Sequence, residues 1–121
     1  MNNRRNVATL LEYRDIDVQG VVRPQGLELQ GVQTLTGAGA VDLLSPITHL
    51  VTTGANALTL ADGEDGQVKY IVMKTDGGDG TLTPANLGNG TTLTFDAAGE
   101  SAHLIFTNGN WYFMGGTATL A

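Results

Sequence analysis

Apolar and polar residues alternate along this chain in short runs, and glycine, asparagine or aspartate bounds nearly every run. The most strand-like run, Gly66 to Lys74 (GQVKYIVMK), lies between two acidic glycine turns, Asp62-Gly63-Glu64-Asp65-Gly66 and Asp76-Gly77-Gly78-Asp79-Gly80. Side chains alternate along a strand, so Val68, Tyr70 and Val72 share one face and Lys69, Ile71 and Met73 the other. Both faces carry large apolar groups. That predicts a central strand between two layers, or a strand at a subunit contact where Ile71 and Met73 meet a partner.

Strand patterns flank this run on both sides. Thr34 to Leu43 has strand-like ends around the small-residue middle Gly37-Ala38-Gly39-Ala40, Ser45-Pro46 breaks the chain, and Ile47 to Thr52 is a β-branched run. Ala57 to Leu60 follows the turn Gly54-Ala55-Asn56. Beyond the acidic turns come Thr81 to Thr83, Thr91 to Phe95, Ala102 to Phe106 and Trp111 to Met114. Thr107-Asn108-Gly109-Asn110 joins the last two through Asn-Gly, the residue pair that a type I′ hairpin turn asks for, because both central positions need positive φ. Short strands at this spacing, with no long helical pattern, predict an all-β fold: a compact sandwich, jelly-roll or barrel-like domain of short antiparallel strands. An echo between Ala57-to-Glu64 and Thr92-to-Glu100 suggests either a repeated hairpin unit or the same strand-then-acidic-turn chemistry used twice.

The first 31 residues read differently. Val7, Leu10 and Leu11 have the spacing of one or two helical turns, marginal in isolation. Asp15 to Val22 reads as extended, Arg23-Pro24-Gln25-Gly26 as a turn, and Leu27-Glu28-Leu29-Gln30 as a short alternating strand. The expected organisation is an extended N-terminal arm over residues 1–31 and a β domain over 32–121.

Charge sharpens that division. The chain of 121 residues carries a formal charge of −6, yet Arg4, Arg5, Arg14 and Arg23 against Glu12, Asp15 and Asp17 leave the first 23 residues at +1 and the rest at −7. A weakly basic arm on an acidic body argues against a nucleic-acid-binding body. With 17 glycines and only 15% charged residues, the composition is that of one turn-rich globular domain. The lack of cysteine excludes disulfides and thiolate metal sites. No apolar stretch follows Arg4 and Arg5 and no run of about 18 apolar residues occurs, so neither a signal peptide nor a membrane span is expected.

Candidate chemistry is sparse. The acidic glycine turns resemble calcium loops only loosely, without the alternating acids and distal glutamate of an EF-hand, and read better as solvated turns. His49 and His103 are the two histidines, and His103 lies in an apolar strand with no serine or carboxylate spaced for a triad. Gly37-Ala38-Gly39 and Gly88-Asn89-Gly90 match no phosphate-binding pattern. No catalytic residue, metal, cofactor or small-molecule substrate is expected. Trp111, Tyr112 and Phe113 place three of seven aromatic residues in one strand, Tyr112 opposed to the other two. Two strands with two apolar faces predict an oligomer with Ile71, Met73, His103, Trp111, Tyr112 and Phe113 at its interface.

The run from Ile47 to Met114 resembles a domain of tailed-bacteriophage virion proteins, found in small head decoration proteins and in fibre or knob domains. LTLADGEDGQVKYIVM, DGGDGTLTPANL, TLTFDAAGESAHLIF and the closing NGNWYF carry the resemblance. It covers a little over half the chain, and its motifs are structural. It implies a compact β domain, often trimeric, displayed on a particle. A short arm ahead of such a domain suits a protein that clips onto a shell more than a tip hung from a long shaft.

The expectation is therefore a capsid decoration, or cement, protein on the outer surface of the phage head, made in the host cytoplasm. Its partners would be the major capsid protein and two further copies of itself, with no nucleic acid and no membrane. Arg4, Arg5 and Arg14 would dock acidic capsid residues while Leu10, Leu11 and Tyr13 anchor the arm. The alternative is a tail-fibre or spike knob that binds a host surface receptor through turns such as Gly54 to Asn56 and Gly88 to Gly90.

Overall fold

A computed structural model describes residues 18–121. Among them are ten strands and no helix: β1 (Val32–Thr36), β2 (Gly39–Val41), β3 (Ile47–Val51), β4 (Asn56–Leu60), β5 (Val68–Thr75), β6 (Gly80–Pro84), β7 (Leu93–Phe95), β8 (Ser101–Thr107), β9 (Asn110–Gly116) and β10 (Thr119–Leu120). They form two five-stranded sheets, sheet A in the order β1-β3-β5-β8-β9 and sheet B in the order β10-β7-β6-β4-β2. The sheets pack face to face as a β sandwich. The all-β expectation holds.

The pairing sense corrects the expectation of antiparallel strands. β1 pairs with β3, β3 with β5, β2 with β4 and β4 with β6, all parallel. The turns explain it. From β1 to β6 the chain alternates between the sheets, so the turns after β1, β3 and β5 are corners, and each circuit lays its strands beside those of the circuit before. Three coils result, closed by β7, β8, β9 and β10, which pair antiparallel. The corners stack through hydrogen bonds: Gly37 N donates to Val51 O at 2.9 Å, Thr52 N to Thr75 O at 3.1 Å and Asn56 N to Asp79 O at 2.9 Å. Thr52, buried, donates through Oγ1 to Gly78 O at 2.7 Å and accepts from Gly77 N at 2.9 Å. A Cβ on Gly77 would collide with the Thr52 carbonyl, so this approach requires glycine.

Alternation decides the core. Leu58, Leu60, Leu82, Leu93 and Phe95 of sheet B meet Leu50, Ile71, Met73, Leu104, Phe106 and Trp111 of sheet A, all buried. Trp111 is wholly enclosed, its Nε1 donating to Ala61 O at 2.8 Å and its ring edge-on to Phe106 at 5.3 Å. The Asn-Gly hairpin is as expected: Asn108 has φ 54° and Gly109 φ 75°, and Thr107 pairs with Asn110. The echoing segments β4 and β7 run in opposite senses on either side of β6, so turn chemistry accounts for the echo. Leu27 to Gln30, expected as a strand, is not in any sheet.

Candidate interaction surface

The core settles where several expected interface residues lie. Ile71, Met73 and Trp111 are buried inside the single chain, so these three are not available to a partner as free surface, while Phe113 is half-buried against the same core. The reason is that β5 turns Lys69, Ile71 and Met73 inward together. Lys69 misled the sequence reading of that face, because a fully buried lysine is rare. Its ammonium is satisfied: Nζ donates to Ser45 O and, at 3.0 Å, to Thr48 Oγ1, and lies 3.8 Å from Asp42 Oδ1. Burial pushes the Lys69 pKa below the ordinary lysine value, and the nearby Asp42 carboxylate opposes that shift.

The remaining faces differ in character. Outward positions of sheet B are alanine and threonine: Ala40, Ala57, Thr59, Thr81, Thr83 and Thr94. Outward positions of sheet A are larger and more apolar. Ile47, Tyr70 and His103 form one row across β3, β5 and β8, and Val68, Ile105 and Tyr112 form another across β5, β8 and β9. Tyr70 and His103 stack with ring centroids 4.5 Å apart. His103 and Tyr112, both expected at an interface, thus belong to this face. Tyr70, Ile47 and Ile105 belong to it too, and were missed because alternation alone does not say which face of a strand is the outer one. Neither sheet has an acidic residue in any strand. The acids of the body sit in turns, where Asp62 accepts from Asn86 Nδ2 at 2.9 and 3.0 Å and Asp76 accepts from Gly78 N at 3.0 Å. Among the described residues no group of three histidine, aspartate or glutamate side chains is placed to hold a metal ion.

A second surface is the arm. Val21, Val22 and Leu27 are 72%, 66% and 80% exposed, and among the described residues 18–31 make no backbone hydrogen bond to the body. Arg4, Arg5, Leu10, Leu11, Tyr13 and Arg14 lie outside the described residues. No protein-family model matches the chain, and no curated protein matches it significantly.

Proposed function

We propose that this protein is a virion structural protein that decorates the outside of a tailed-phage head and reinforces the shell. The observation that carries the reading is the arm: a segment with three aliphatic side chains 66% or more exposed, joined to a tightly bonded two-sheet body and preceded by the chain's basic cluster. An exposed apolar segment gains free energy when a partner covers it. The acidic body and basic N-terminal residues divide the molecule into a displayed part and an attaching part.

In this reading Arg4, Arg5 and Arg14 steer the arm onto acidic rim residues of the major capsid protein, while Leu10, Leu11 and Tyr13 supply the apolar hold. Three copies meet through the outer face of sheet A, with Tyr70, His103, Ile105 and Tyr112 at the contact. Its strands bring no acidic side chain to that face, so identical copies approach without carboxylate repulsion. Reinforcement needs no chemistry. A ligand that binds the assembled lattice better than free subunits shifts the equilibrium towards the lattice. The test is occupancy on purified heads: removing residues 1–14 should abolish co-sedimentation with heads while the far-ultraviolet circular dichroism stays that of the full chain. Unchanged occupancy would show that residues 1–14 are not needed for attachment.

A further inference from the structure

The two sheets have four edges, and among the described residues three of them are managed. On β9, the 86–89 loop pairs like an added strand: Trp111 N donates to Asn86 O at 2.8 Å, Gly88 N donates to Trp111 O at 2.7 Å, and the Asn89 side chain bonds both Phe113 N and Phe113 O at 3.0 Å. β2 is short, and Gln33 reaches across to it, donating to Ala40 O at 3.0 Å and accepting from Asp42 N at 2.9 Å. β10 has only two residues, and flanking Ala121 bonds back to Thr91 and Thr92. Short strands and covering loops are the usual ways of blunting an edge. β1 has none of these. It is five residues, VQTLT, without charge, proline or bulge, and among the described residues no backbone group of another segment pairs with its outer side.

Immediately ahead of β1 lies a segment with the opposite deficiency. Leu27-Glu28-Leu29-Gln30 alternates as a strand does, yet among the described residues it has no strand partner, and Leu27 is 80% exposed while Leu29 is half-buried. It cannot readily turn back on its own β1. A tight reversal takes two central residues, and Gly31, at φ 106°, is all that separates the two segments. Using Gln30 as the second turn residue would shorten the pairing to Leu27–Leu29.

We infer that Leu27–Gln30 of one copy adds as an extra strand to the bare β1 edge of a second copy, so that exchanged arms reinforce the contact between copies. This rests on the oligomeric part of the proposed function and names a contact within it. Main-chain hydrogen bonds supply the attraction, as in strand addition generally, and the alternating leucines set which face of the added strand meets Val32 or Leu35 of β1. Passed head to tail, the contact is heterologous, and it closes into a ring in the proposed trimer.

The experiment uses the purified full-length protein without particles, so its failure leaves the decoration reading standing. Hydrogen exchange and light scattering are followed over a concentration series for the natural chain, for Leu29→Pro and for Leu27→Asp. Both substituted residues lie outside the core, so the body should keep its fold. The natural chain is expected to associate, with slow exchange at the β1 amides that point away from β3, and either variant should weaken association at least tenfold and return those amides to fast exchange. A β1 edge that exchanges as fast in the oligomer as the exposed turns do overturns the inference. So does equal protection in a dilute monomer, which would mean that the arm folds back on its own chain.

Discussion

Tyr70 of β5 and His103 of β8 stand opposite each other on the outer face of sheet A, their rings stacked 4.5 Å apart and 10° from parallel. Such a pair fixes a flat aromatic platform at one end of the row Ile47, Tyr70, His103. Tyr70→Asp places a carboxylate at the centre of a face whose strands carry none. In the proposed trimer three copies would bring like charges together, so light scattering is expected to show a shift towards monomers. Circular dichroism should be unchanged, Tyr70 lying outside the core. A trimer of natural stability in this variant would exclude the outer face of sheet A as the contact.

The interior of the same strand yields a pH prediction. Burial lowers the Lys69 pKa in the folded chain, so between that lowered value and the ordinary lysine range the unfolded chain binds more protons than the folded one. Stability contributed by this group therefore rises with pH across that window. Lys69→Met should flatten the rise, read as the difference between the melting temperatures of parent and variant over alkaline pH. Asp42→Asn should lower stability at neutral pH, since it removes the carboxylate that opposes the loss of the ammonium's charge. Parallel pH profiles for parent and Lys69→Met would show that Lys69 does not titrate differently in the two states.

At the β8–β9 hairpin, Gly109 has φ 75° and no atom within 4 Å of where a Cβ would stand. The cost of Gly109→Val is therefore conformational: about 1–3 kcal/mol for a β-branched residue held at positive φ. Asn108→Gly should be much milder, because asparagine and glycine both tolerate φ near the observed 54°. Denaturant midpoints measure both. Equal midpoints for parent and Gly109→Val would mean that the turn reforms in another conformation at no cost.

How far these features could be read from the sequence depended on how local their cause is. Asn108-Gly109 was legible because the turn type itself demands those residues, and strands such as Ala57 to Leu60 were legible because alternation is a local property. The parallel coils were not. Gly54-Ala55-Asn56 has hairpin-like composition, but Asn56 N bonds to Asp79 O on the next coil, and that long-range contact makes the turn a corner. β10 has two residues, too few for any pattern. Lys69 hid the core face of β5, since its charge is tolerated only by oxygen atoms that converge from Asp42, Ser45 and Thr48. Leu27 to Gln30 is the reverse case: its alternation is plain, but among the described residues it pairs with no strand.

The central claim, that the protein sits on the head as a decoration, is tested most directly by locating it on intact particles. A small tag placed after the C-terminal Ala121, which is exposed, can be labelled and imaged by electron microscopy. The account predicts label at many regularly spaced positions over the whole head surface and none on the tail. Label confined to the tail tip or fibres would contradict it and would make the β domain a receptor-binding knob.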